Sequence, residues 1–99
     1  MTKMTTRFTT ICTLKRRYRK HTFYVDIILD HKEQVYRAWI WEDRYGVKSL
    51  MFGILVHGTR FGEPYDTTVD EFTEMAMDDY NFKESADLYI EEYMDGEEN

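Results

Sequence analysis

Residues 21–41 constrain the fold more than any other stretch. Two runs rich in β-branched and aromatic residues, His21-Thr-Phe-Tyr-Val-Asp-Ile-Ile-Leu-Asp30 and Val35-Tyr-Arg-Ala-Trp-Ile-Trp41, flank the polar His31-Lys-Glu-Gln34. That pattern predicts two antiparallel strands joined by a short turn. On the first strand Phe23, Val25, Ile27 and Leu29 share one face, and Thr22, Tyr24, Asp26, Ile28 and Asp30 share the other. On the second, Tyr36, Ala38 and Ile40 alternate with Val35, Arg37, Trp39 and Trp41, and neither set suits full exposure to water. A lone hairpin is only marginally stable, so further strands and at least one helix must cover this one.

The rest of the chain supplies them. Residues 5–14 are Thr-rich and β-prone, with Phe8 and Cys12 expected on one face. The basic run Lys15-Arg-Arg-Tyr-Arg-Lys20 repels itself and reads as an exposed turn or the solvated end of a strand. After a turn over residues 42–46, in which Gly46 suits positive φ, residues 48–56 carry two superimposed patterns. Leu50, Phe52, Ile54 and Val56 alternate as in a strand, whereas Val47, Leu50, Met51, Ile54 and Leu55 follow helical spacing. The short reversal at Tyr45-Gly46 and the Ile-Leu-Val run favour a strand, with Gly53 marking a bulge or close packing against a neighbouring backbone.

Residues 57–66 form a loop containing the only proline, Pro64. Thr67 or Thr68, with Asp70 or Glu71 completing a capping box, opens a helix over about 68–80 whose inner stripe is Val69, Phe72, Ala76 and Tyr80, joined by Met75. Asn81, paired with Glu84, is expected to cap a second helix over about 82–95, with Phe82, Ala86, Tyr89, Ile90 and Tyr93 inward. The predicted fold is therefore α+β. An antiparallel sheet of three to four strands, at about 5–14, 21–30, 34–41 and 48–56, packs against two C-terminal helices as one domain over 1–99, with frayed ends at 1–3 and 96–99.

With 99 residues, 42% hydrophobic and 32% charged, the composition is that of an ordinary globular domain with one modest core. No apolar run approaches the roughly 20 residues that span a bilayer, and the N-terminus has no signal-like apolar region. The expected setting is cytoplasmic, without membrane contact. The single Cys12 reads as a small strand residue. Charge is divided unevenly. Residues 1–58 hold 11 Lys or Arg against 5 Asp or Glu, a balance of +6, while residues 59–99 hold 2 against 14, a balance of −12.

Catalytic and metal patterns are lacking. His21, His31 and His57 have no helical i,i+4 partner spacing, no phosphate-cradling glycine motif occurs, and the acids of the first helix lack a calcium-loop glycine. No catalytic residue, metal ligand or cofactor is assigned, and the chain reads as a non-enzyme. Asp26 and Arg37, on opposite arms of the hairpin, are expected to form a register-setting ion pair.

Two binding readings remain. In the first, a small regulator or inhibitor meets a basic protein, such as a nucleic-acid-binding enzyme, through its acidic helical half. Glu84, Asp87, Glu91 and Asp95 repeat negative charge about every 5–6 Å along a helix, a spacing near that of backbone phosphates, so the face suits nucleic-acid mimicry. Trp41 is its candidate aromatic anchor, although both indoles also suit a core role against Phe72, Ile90 and Tyr93. In the second reading, Arg16, Arg17, Arg19 and Lys20 contact phosphates, and Tyr18 or Tyr24 stacks on bases.

Overall fold

The computed structural model describes residues 6–98, with side chains through residue 96. Four strands, β1 (Phe8–Tyr18), β2 (His21–Asp30), β3 (Val35–Arg44) and β4 (Val47–Val56), form an antiparallel meander in the order β1-β2-β3-β4. Two helices, α1 (Val69–Asp78) and α2 (Tyr80–Glu98), cover one face of it. The ambiguous segment around Gly53 is thus a strand. Its hairpin from β3 turns on Tyr45 and Gly46, both at positive φ (59° and 80°), the backbone sense whose twist matches the flanking strands.

The alternation read in the hairpin decides which face the helices cover. Phe23, Val25, Ile27 and Leu29 of β2, with Tyr36, Ala38 and Ile40 of β3, meet Phe72 and Ala76 of α1 and Phe82, Ala86, Ile90 and Met94 of α2. Phe61, from the connecting loop, stacks on Phe72 at 4.6 Å between ring centres and completes this core. The flattest packing is at Gly53, where a Cβ would lie 2.7 Å from Tyr89 Cε1 and 3.2 Å from Ile40 Cδ1. A register shift beside it, between Ile40 and Trp41, leaves Phe52 as the extra residue of β4, so Gly53 does mark a bulge, while its close approach is to the Tyr89 and Ile40 side chains and not to a neighbouring backbone.

Several boundaries and neighbours differ from expectation. β1 runs through the basic segment to Tyr18, because pairing with β2 supplies backbone partners that outweigh the local repulsion. β3 likewise continues to Arg44, so Glu42 to Arg44 are strand and the turn is confined to Tyr45-Gly46. Phe8 and Cys12 do not share a face. A bulge between Thr10 and Cys12 inverts the parity, sending Phe8 against Trp39 and Cys12 towards the helical core.

The helix starts separate in the same way. Thr68 caps α1, and its reciprocal box with Glu71 forms as read. The cap of α2 is Asp79, whose Oδ1 accepts from the Phe82 N–H at 2.9 Å, in place of Asn81. With α1 ending at Asp78, Val69, Met75 and Tyr80 fall outside the inner stripe and are exposed. α2 is longer than expected, reaching Glu98, so residues 96–98 are helical while residues 1–5 and 99 lie outside the described residues. Among the described residues no helix is long and apolar enough to cross a membrane.

Candidate interaction surfaces

The strand β1 and the helix α2 run together along one seam, and it gathers most of the residues that the sequence nominated. Arg16 and Tyr18 pair in register with Phe23 and His21 and so point to the helical side of the sheet. There Arg16 Nε lies 3.3 Å from Asp87 Oδ1, off the line of a hydrogen bond, while the Tyr18 hydroxyl donates to Asp95 Oδ1 at 3.2 Å and Arg19 Nη2 is 3.7 Å from that oxygen. The seam opens into a groove of about 540 Å³ between the Lys15–Tyr18 run and the Asp87, Ile90 and Glu91 side chains. Acidic and basic candidates therefore face one another. Arg17 pairs with Thr22 and points to the opposite side, and Lys20 is exposed in the turn, so the basic run is divided between two faces.

Glu84, Asp87, Glu91 and Asp95 are all exposed on α2, and the Asp87 and Asp95 side chains remain 51% accessible despite their partners. Exposed pairs of this kind contribute about 0–1 kcal/mol each. Glu74, Asp78, Glu84 and Glu92 take part in no ion pair among the described residues, so the outer surface of the helical layer carries uncompensated negative charge.

Trp41 stands on the far side of the molecule from those acids. Trp39 pairs with Asp26 and Trp41 with Tyr24, which places both indoles on the helix-free face, and neither belongs to the core beneath the helices. The expected contacts with Phe72, Ile90 and Tyr93 are therefore not made: strand parity that puts Tyr36, Ala38 and Ile40 inward must put the tryptophans outward. Both are half-buried by their own neighbours. Phe8 meets Trp39 edge-on at 5.0 Å, and Lys48 reaches over Trp41 from β4. Beside them on β4 the same face exposes Met51 (39%), Ile54 (49%) and Val56 (53%).

Two buried carboxylates hold this face together, and neither forms the expected pair. Asp26 accepts from Lys48 Nζ at 2.8 and 2.9 Å and from the Thr13 hydroxyl at 2.7 Å. Arg37, which lies diagonal to both acids, turns to Asp30 instead, with its Nε 2.9 Å from Oδ2. Asp30 is completely enclosed and also accepts from Arg7 and from the Lys32 and Glu33 N–H groups, clamping the β2–β3 turn. Burial opposes its ionisation most strongly, but the Arg7, Glu33, Arg37 and Lys32 donors together outweigh burial and hold the carboxyl well below the usual range.

A third cluster went unnoticed in the sequence. The buried Tyr36 hydroxyl donates to Asp79 Oδ2, His57 Nε2 is 3.3 Å from the same oxygen, and the Tyr36 and His57 rings stack at 4.4 Å. Burial, reinforced by the Asp79 charge, raises the Tyr36 phenol far above its ordinary range. At Asp79 burial again opposes ionisation, and the Tyr36, Phe82, His57 and Asn81 donors prevail, lowering its pKa. His57 Nδ1 accepts from the Thr59 N–H at 3.2 Å, so both ring nitrogens are engaged and neither is turned to solvent as a base. The cluster joins the loop after β4 to the α1–α2 junction. Only a 22-residue separation from His57 to Asp79 in the sequence marks it, and no short motif spans that distance.

Among the described residues no group of three or more His, Cys, Asp or Glu side chains is arranged to hold a metal. Cys12 is unpaired and partly buried, and burial raises its thiol pKa. No protein-family model, curated protein or solved structure matches this chain.

Proposed function

We propose that this protein is a small, non-enzymatic cytoplasmic regulator or inhibitor that binds a basic protein partner through the outer surface of its helical layer. The observation that supports the reading is the separation of charge by layer. The sheet layer, with its β1–β2 turn and the residue before β1, spends Arg7, Arg16, Arg19, Arg37 and Lys48 on carboxylates of the same chain, whereas the helices keep Glu74, Asp78, Glu84 and Glu92 facing solvent without ion partners among the described residues. A surface of one sign accelerates encounter with a partner of the other and sets its orientation. The basic run is divided between the two sides of the sheet, with Arg16 and Tyr18 on one and Arg17 on the other, which favours this reading over a continuous phosphate-contacting surface.

Neutralising Glu74, Glu84, Glu91 and Glu92 to Gln tests the proposal while leaving the Asp87 and Asp95 seam intact. The tagged wild-type chain should capture a basic protein from native extract, lose it as salt rises, and lose it to duplex competitor if the acids imitate nucleic acid. The variant should keep its circular dichroism and lose the captured protein. A folded variant that retains every partner of the wild type removes the helical layer from the binding surface.

A further inference from the structure

We infer that the helix-free face of the sheet binds the same face of a second copy of this chain, so that two protomers pack sheet on sheet about a two-fold axis. One half of that face is apolar and open, since Met51, Ile54 and Val56 are exposed beside the half-buried Trp39 and Trp41. Aromatic residues and Met are the types enriched in the centres of protein interfaces. A face of this kind in a two-layer domain normally meets a further layer.

Charge and area select the occupant. The charged groups set into the centre of the face are already neutralised within the chain, Lys48 on Asp26 and Arg37 on Asp30, and Lys15 and Arg17, which point to this side from β1, lie along its border, where an interface keeps a polar, hydrated rim. A second copy brings the same neutral pairs and the same flat apolar row, and the two-fold axis sets one row against the other. Packing by this face also sends the two acidic helical layers to opposite outer surfaces, whereas contact through the helices would press like charges together. Four strands of ten or eleven residues, at about 3.3 Å per residue and about 4.8 Å apart, project roughly 600 Å². Side chains standing on that plane expose more than its projection, which brings the face to the scale of about 800 Å² per partner found in standard stable interfaces. Twisted sheets pack face to face in this way at a separation of about 10 Å.

Sedimentation equilibrium of the full chain, over about two orders of magnitude in concentration, tests the pairing through mass action. The wild type should show a reversible monomer–dimer equilibrium, and its tryptophan emission should move to the red on dilution as Trp39 and Trp41 regain water. Ile54→Lys and Val56→Lys alter exposed side chains, so both should fold by circular dichroism. Each places two like charges about the axis and should weaken the dimer by about 100-fold or more. A wild type that is monomeric throughout overturns the inference, as does a dimer that both lysine variants leave unchanged. A monomer that instead binds neutral lipid vesicles or a different protein, with loss in Ile54→Lys, assigns the face to that occupant and equally overturns self-pairing. Should either variant fail to fold, the other variant and the wild-type dilution series still decide the matter.

Discussion

Asp30 shows how much one buried side chain determines here. Its two oxygens serve two arginines and two backbone N–H groups at the β2–β3 turn, and its pKa lies below the ordinary carboxylate range once burial has been offset by those donors. A depressed folded-state pKa contributes stability that is present above about pH 4, the unfolded value, and is lost as pH falls towards the folded value. Asp30→Asn should therefore cost roughly 2–4 kcal/mol at neutral pH in urea melts, less than a fully enclosed pair because Arg7 and Arg37 keep some water. The difference from wild type should shrink as the pH is taken below about 4, as the native carboxylate loses its own advantage. A constant difference across that range would deny the linkage. Sequence reading placed Asp26 and Arg37 on the correct face but paired them with each other. Parity identifies a face, whereas the choice between two diagonal acids depends on which one other cations already hold, and Lys48 lies 22 residues from Asp26. Gly53 was more legible, because a glycine within an apolar run signals a missing Cβ. Gly53→Ala should destabilise by about 1–3 kcal/mol through the Tyr89 ring, and combining it with Tyr89→Ala should give a cost below the sum of the two single changes.

Among elements, the four strands were readable from alternation and turn residues, and the helices from their apolar stripes. What the sequence did not reveal is how the elements are joined. Asp79 is the last non-helical residue between α1 and α2, and it caps α2 while receiving Tyr36 and approaching His57. Asn81 had the better local signature, with a glutamate three residues on, yet a tertiary partner for Asp79 moved the helix start two residues earlier than that signature predicts. Asp79→Ala should cost roughly 2–4 kcal/mol, about 1 from the cap and the remainder from a buried phenol left without its acceptor. Asn81→Ala should stay within about 0.5 kcal/mol, as surface changes usually do. Equal losses in chemical denaturation would return the cap to Asn81. The tryptophans were misassigned for a related reason. Bulk alone suggests contact with the helices, but on β3 the inward parity belongs to Tyr36, Ala38 and Ile40, and the tryptophans take the other face.

At the scale of the molecule, the layers differ in charge, and the sheet differs between its two edges. β2 and β3 have a strand on either side and one face under the helices, whereas β1 and β4 each keep one unpaired edge. The β1 edge carries Lys15, Arg16 and Arg17, the kind of charge that discourages strand addition, while β4 between Val47 and Val56 has one charged residue, Lys48, which reaches across the helix-free face to Asp26. Two routes to self-association follow, pairing by the β4 edge or packing by the open face, and amide exchange separates them. Protection should be greatest in β2 and β3, whose opening requires global unfolding, and weakest at the outward amides of β4. In the dimer formed through the sheet face those outward amides remain unpaired, so their exchange should be nearly independent of protein concentration even as tryptophan emission changes. Edge pairing would reverse both signs: β4 amides would gain protection as dimer forms, and the two helical layers would lie side by side with their negative surfaces adjacent. That arrangement would be the more salt-dependent of the two, because like charges brought within about 10 Å are relieved only by screening. Exchange measured at low and high protein concentration, each at two ionic strengths, should leave β4 fast in all four conditions; slow β4 exchange at high concentration would locate the contact at the edge.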